Sequence, residues 1–403
     1  MASTRDWFES VAEAERRAQR RLPRSVYGAL VAGAESGLTL NANQSAFREL
    51  GFFPRIATGV PPVRDLSTRV LGQDLAYPVI ISPTGVQAVH PDAEVAVARA
   101  SAAAGIAMGL SSFASKPLAE VVAANPATLF QVYWMGGRER VKQLLAYARH
   151  NGVQGIIMTL DWTFAHRRDW GSPPIPTRID VKTAFKFAPE VLARPHWLLR
   201  FARSGGLPTL TVPNMARSGA ASPGFFEAYG EWMATPSPTW EDIAWVRDQW
   251  EGKLVIKGVS HPDDAIRVAD IGADALSVSN HGGNNLDGSP ASIRALPGIV
   301  EAVSDRLEIL LDGGIRRGSD VVKALALGAS AVMVGRAPLW GLAASGEAGV
   351  ANVLEILRAG VDETLVGLGR SAIDQLTRED VMMPPGFPVR PKEAPTKTLV
   401  HDS

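Results

Sequence analysis

The residues with types and spacing suited to chemistry fall in a few short stretches. His281 sits in SNHGGNNLDGSPA, which starts at Ser279 and follows an apolar run. A histidine in a glycine-rich loop at a strand end suits general-base work, because its ordinary pKa lies near neutrality. Asp161, at the end of GIIMTLD, could orient and charge-stabilise such a ring, and Tyr133, within TLFQVYW, could hydrogen-bond a substrate heteroatom. A lone histidine is more often structural, so the reading rests on the three residues together.

Two further stretches, DGGIRRGSD from Asp312 and GR at Gly335–Arg336, place glycines and arginines directly after apolar runs. Glycines let backbone N–H groups approach phosphate oxygens, a following helix N-terminus adds its dipole, and Arg316 and Arg336 supply charge. Tight turns with surface arginines would look the same. Lys257 ends another apolar run, so its ammonium needs an anionic or electron-rich partner. A buried Lys–Asp pair would satisfy it. So would a flavin, whose pyrimidine edge gains negative charge on reduction. Ser111, Gln131, Thr159 and Ser279, each at a run's end, could complete the hydrogen bonds to such a ring and its phosphate.

The elements that must position these residues are legible as a series. Eight apolar, β-branched runs are each followed by Gly or polar residues and then an Ala/Leu-rich stretch: PVIIS, GIAMGL, TLFQVYW, GIIMTLD, KLVIKG, ALSVSN, EILLDGG and AVMVGR. Continuous apolarity suits strands covered on both faces, and eight such units predict an α/β fold of the (β/α)₈ TIM-barrel type with its chemistry at one end of the ring. A doubly wound sheet is the weaker alternative, since no GxGxxG opens the first helix. One domain over 1–403 is expected. Residues 1–60 read as a helical cap of two or three helices, with Ser3 capping the first and Pro23 opening the second, and 61–384 as the barrel. A Pro/Gly/Ser-rich insertion, 171–238, between the fourth and fifth strands reads as a lid or subunit contact, and 385–403 as a C-terminal surface arm.

Composition narrows the classes. Forty-one basic residues balance forty-one acidic ones, so no global field favours nucleic acid or an anionic membrane. The chain has no cysteine, which removes disulfide, thiolate and cysteine–metal chemistry and makes a reducing cytoplasm the simplest compartment. Seven histidines without an HxH or HxxxH pair predict no metal site. A charged start without an apolar core, and no run near eighteen apolar residues, predict neither export nor stable membrane insertion.

Taken together, the stretches resemble the FMN-dependent α-hydroxy acid dehydrogenases and oxidases, the family of glycolate oxidase and the flavin-type lactate dehydrogenases. The resemblance runs from PRSVYGALVAGAE near Pro23 through SPTG, LSSFAS, FQVYW, TLDWTFAHRRD, VIKGV, SNHGG and LDGGIRRGSD to GRAPLWGLAASGEAGV. It implies FMN as cofactor, His281 as active-site base, Asp161 as its partner, Tyr133 as substrate donor and Arg168 as a carbonyl or carboxylate ligand. It also implies FMN contacts from Ser82, Pro83, Thr84, Gly85, Ser111, Gln131, Thr159, Lys257, Ser279, Asp312, Gly313, Gly314, Ile315, Arg316, Gly335 and Arg336, and a homo-oligomer of four or more chains.

The departures matter as much. Where the hydroxy-acid enzymes carry a second substrate-binding arginine three residues after the histidine, this chain has Asn284, and a carboxylate-holding cap tyrosine aligns with Ala29. Each lost charge-assisted hydrogen bond costs roughly 1.5–3 kcal/mol, so a small hydroxy-acid anion should bind poorly. A bulkier, uncharged substrate is expected, with an aromatic group near Trp134, Trp162 or Phe113. These changes, with Trp162–Thr163–Phe164, resemble one branch of the family. The branch implies oxidative deamination of a peptide-derived aminolactam, 3-amino-5-(4-hydroxybenzyl)-4,4-dimethylpyrrolidin-2-one, to its α-keto lactam, with dioxygen or another acceptor. A 2-hydroxy acid dehydrogenase that compensates with Arg167 or Arg178 stays open, as does a non-catalytic flavin- or peptide-binding barrel.

Overall fold

The eight runs form eight parallel strands: β1 (Val79–Ile81), β2 (Met108–Ser111), β3 (Thr128–Tyr133), β4 (Gly155–Thr159), β5 (Lys253–Val259), β6 (Ala275–Val278), β7 (Glu308–Asp312) and β8 (Ala331–Val334). They close into a barrel, the last pairing being β8 with β1 through Val334 and Ile81. The computed structural model describes residues 8–31, 33–85, 88–161, 167–172, 181–217 and 219–389.

Both faces of these strands are covered, which is why their sequences do not alternate. Ile80, Leu129, Ile157, Val255, Leu310 and Met333 belong to an inner core, while Val79, Ile81, Phe130, Ile156, Leu254 and Leu311 belong to the outer core beneath the helices. The inner core also holds Val70, Leu71 and Leu75 from an antiparallel hairpin, Thr68–Val70 with Gln73–Leu75, that the sequence pattern did not reveal. Its turn places Leu71 and Gly72 at φ 53° and 74°. The Leu71 N–H donates to the Glu308 carboxylate at 2.7 Å, fixing the hairpin to the start of β7.

Among the described residues three cap helices precede the barrel: α1 (Val11–Arg21), α2 (Arg24–Val31) and α3 (Leu38–Glu49). Ser3 lies outside the described residues, and the cap of α1 is Ser10, whose hydroxyl accepts the Glu13 N–H. Pro23 precedes α2, as its lack of an N–H favours. The N-terminus of α3 is satisfied from far away: Asp287, in the histidine loop, accepts the N–H groups of Leu38 and Thr39. A reciprocal amide pair between Asn43 and Asn280, 2.8 Å each way, ties α3 to the same loop. Gly283, at φ 79°, allows this approach, since a Cβ there would meet the Leu40 backbone.

The insertion folds into helices Val181–Leu192, Pro195–Arg203 and Phe225–Met233. It is tied to the cap, because Glu190 accepts both the hydroxyl and the N–H of Ser25. Residues 173–180 and 218, and with them Arg178, lie outside the described residues, as do Trp162 and Phe164. The arm expected from 385 begins docked rather than free: Phe387 is buried, its carbonyl accepts from Arg294 at 2.9 Å, and the guanidinium lies 4.7 Å over its ring. Among the described residues no helix is long and apolar enough to cross a membrane.

Candidate active site

His281 and Asp161 meet at the C-terminal end of the barrel, with Oδ1 of Asp161 3.0 Å from Nδ1 of His281. Asp161 lies two residues past the end of β4 and presses against β5 at Gly258. A Cβ at Gly258, which sits at φ 107°, would overlap Asp161, so the close approach requires glycine. Asn285 of the histidine loop donates its amide N–H to the Asp161 carbonyl at 2.5 Å, a second tie between loop and strand end. His281 has φ 56°, a left-handed conformation sparsely used outside glycine, and its N–H donates to the Ser279 hydroxyl at 3.1 Å. Burial works against the Asp161 carboxylate, but His281 and then Lys257 outweigh it and hold the carboxyl below its ordinary value.

Lys257, Ser279 and Asp312 form a buried triangle on β5, the end of β6 and β7. The ammonium is 2.8 Å from the Asp312 carboxylate and 2.8 Å from the Ser279 hydroxyl, which itself donates to Asp312 at 2.8 Å. Burial disfavours the ammonium, yet Asp312, then Asp161, hold its pKa above the ordinary value. Lys257 is therefore both a Lys–Asp pair and a cation on the cavity wall.

A cavity of ≈ 280 Å³ opens over these groups. Its lining includes Ala29, Ser82, Pro83, Thr84, Gly85, Ser111, Tyr133, Thr159, Lys257, His281, Asn284, Asp312, Gly313, Gly314, Ile315, Arg316, Gly335 and Arg336. Four expected residues stand behind the wall. Asp161 is behind His281, Ser279 is in the lysine triangle, and Gln131 accepts from the Ser111 hydroxyl at 3.0 Å. Arg168 donates to the Gly28 carbonyl at 3.2 Å and lies 5.2 Å over the Trp170 ring, so its charge is engaged outside the cavity. Asn284 spends its side-chain oxygen on the Gly33 N–H at 2.8 Å. Trp134 is buried in the outer core and does not line the cavity, whereas Phe113 does. Three aromatic lining residues were not read from the sequence: Phe225, Tyr229 and Trp232. Their spacing on one helix was the available signal, hidden within a Pro/Gly/Ser-rich stretch.

The residues fit FMN. Arg316 and Arg336 are not within ion-pair distance of any carboxylate among the described residues, and Arg336 is pushed down to about 9 by burial first and Arg316 second. Two such cations, with Gly313 and Gly314 both at positive φ, suit a dianionic phosphate. The Arg316 Nε, the Gln131 Nε2 and the Thr159 hydroxyl are buried without a hydrogen-bond partner. Each such group costs roughly 1–3 kcal/mol if left so, and a phosphate and a flavin pyrimidine edge supply the missing partners. Arg316 and Gln131 would hold these two ends, with Lys257 beside the ring. Among the described residues no cluster of His, Asp or Glu could hold a metal.

A family model described as FMN-dependent dehydrogenase matches residues 18–383. Pre-mycofactocin synthase of Mycobacterium tuberculosis is 60% identical over 381 residues, covering 94% of this chain and 96% of that protein. Glycolate oxidase 3 of Arabidopsis thaliana is 38% identical over 374 residues, covering 92% of this chain and 95% of that protein. The crystal structure of the monotopic membrane protein (S)-mandelate dehydrogenase is similar with a TM-score of 0.85 at 34% identity, covering 93% of this chain and 99% of that one. With the family model matching residues 18–383 and relatives 38–60% identical over more than nine-tenths of the chain, the chain belongs to the FMN-dependent dehydrogenase family.

Proposed function

We propose that this chain, acting as one catalytic domain, oxidatively deaminates the aminolactam 3-amino-5-(4-hydroxybenzyl)-4,4-dimethylpyrrolidin-2-one to its α-keto lactam. The observation that carries the reading is the loss of anion ligands. Asn284 and Ala29 line the cavity where an arginine and a tyrosine would hold a carboxylate, and Arg168 is engaged at Gly28. A substrate with an amine next to a neutral lactam carbonyl makes no demand for them. The similarity to a pre-mycofactocin synthase supports the same choice.

FMN, when bound, accepts the hydride equivalent from the carbon that bears the amine. His281 takes the amine proton through Nε2, since Nδ1 is committed to Asp161. Asp161 holds the ring's tautomer and stabilises the imidazolium that forms. Burial raises the Tyr133 hydroxyl, so it stays protonated and donates to the lactam carbonyl. The substrate loses two electrons and two protons to give an imine, and water then converts the imine to ketone and ammonia. Dioxygen takes up the electron pair and two protons, leaving hydrogen peroxide. The reading places the work in the cytoplasm, without nucleic acid, and in a homo-oligomer.

Anaerobic mixing of the holoenzyme with the aminolactam and, separately, with L-lactate tests this through flavin absorbance. Bleaching by the aminolactam is expected. Bleaching by lactate alone would overturn it in favour of a 2-hydroxy acid dehydrogenase.

A further inference from the structure

One wall of the cavity is built by the insertion rather than by the barrel. Phe225, Tyr229 and Trp232 stand at i, i+4 and i+7 of the helix Phe225–Met233, so they share one helical face, and all three line the cavity with Phe113. The rings pack on one another. Phe225 and Tyr229 are stacked at 6.3 Å, Phe113 meets Phe225 edge-on at 5.7 Å, and Trp232 lies 4.0 Å from the Tyr133 ring. Both ends of the helix are anchored. The Phe225 N–H donates to the Leu210 carbonyl at 2.8 Å, and the Thr235 hydroxyl accepts the Gly136 N–H at 2.8 Å just past β3. The face is therefore preorganised, and it presents no charged side chain to the cavity.

We propose that this face is a subsite for an aromatic substituent of the substrate, a benzyl or hydroxybenzyl ring, recognised by ring packing. The inference rests on the aminolactam reading and adds to it the element that reads the ring. Trp232 also braces Tyr133 and meets the Tyr229 ring edge-on at 6.1 Å, so Phe225, the farthest of the three from Trp232 along the helix, is the position most removed from that contact.

The test compares two lactams on the holoenzyme: the hydroxybenzyl compound and 3-amino-4,4-dimethylpyrrolidin-2-one, which lacks the ring. Burial of one ring against Phe225 and Tyr229 makes the wild-type preference, as a ratio of kcat/KM, fall roughly 10- to 100-fold in Phe225→Ala or Tyr229→Ala, through KM rather than kcat. Tyr229→Leu, which keeps helix propensity and apolar volume, serves if the alanine variants fail to fold, and it should lose part of the preference. An unchanged ratio in variants that retain flavin would overturn the subsite. If neither lactam reduces the flavin, the aminolactam reading has failed. The subsite is then decided by titrating 4-methylphenol into the holoenzyme and following flavin absorbance. Saturable binding weakened by Tyr229→Ala supports it, and absent or unaltered binding overturns it.

Discussion

Asp161 Oδ1 and His281 Nδ1 lie 3.0 Å apart although the residues are 120 positions apart in sequence and belong to the ends of β4 and β6. The strand between them, β5, makes this possible, because Gly258 yields the space that the Asp161 side chain occupies. In Asp161→Asn the ring keeps a neighbour but loses the charge that stabilises its protonated form. Flavin should stay bound, while its reduction by substrate slows by roughly 10²- to 10⁴-fold in anaerobic stopped-flow. Reduction within a few-fold of wild type would remove Asp161 from the proposed mechanism.

The Lys257–Asp312 pair calls for a different experiment. Both residues are nearly inaccessible, at 4% and 5% exposure, so removing one partner strands a buried charge. Lys257→Met should cost about 3–5 kcal/mol in urea unfolding and weaken flavin retention on dialysis. A variant as stable as wild type would mean that Asp312 is already compensated by the hydroxyls of Ser277 and Ser279, which donate to it at 3.4 and 2.8 Å.

The same groups give the protein a pH profile with two limbs. The Asp161 pKa is depressed, so its contribution to stability is complete above the unfolded value of about 3.9 and is lost as pH falls through the lower folded one. The Lys257 pKa is raised, so its contribution is complete below about 10.4 and is lost as pH rises through the higher folded value. Denaturant midpoints against pH should therefore show an acid limb that Asp161→Asn flattens and an alkaline limb that it weakens without removing, because Asp312 is the larger and Asp161 the smaller cause of the raised Lys257 pKa. An acid limb unaltered by the substitution would contradict the coupling.

Gly258→Ala probes the backbone that supports the pair. At φ 107° an alanine is strained by roughly 1–3 kcal/mol, and its Cβ overlaps Asp161. The expected result is a less stable protein that still binds FMN but reduces it slowly, because Asp161 is displaced from His281. Slow reduction without loss of stability would point to displacement alone.

The barrel was legible because strands buried on both faces leave unbroken apolar runs such as GIIMT, with their polar residues at the ends. The hairpin at Thr68–Leu75 was not, since its turn uses Leu71 at positive φ where Asn or Asp would have been the signal. His281, Asp161 and Lys257 were legible from residue type at strand ends. Arg168 was placed by resemblance, and sequence could not show that Gly28 and Trp170 engage its guanidinium. Trp134, expected near an aromatic group of the substrate, follows Tyr133, and successive strand-end residues point to opposite faces, so it packs into the outer core.

Asn284 tests the substrate assignment most directly. Its side-chain oxygen holds the Gly33 N–H, and it lines the cavity next to the histidine loop. Arginine has no acceptor, so Asn284→Arg abandons the Gly33 N–H at a cost of about 1 kcal/mol while bringing a guanidinium toward the substrate. A charge-assisted hydrogen bond worth roughly 1.5–3 kcal/mol should tighten L-lactate or glycolate by about 10- to 100-fold in anaerobic titration, and the added bulk should weaken the aminolactam. The opposing signs separate a change of specificity from general damage, which would weaken every ligand alike. A variant with unaltered preference would show that position 284 does not decide between an anion and a neutral lactam, leaving Ala29 and the aromatic wall to do so.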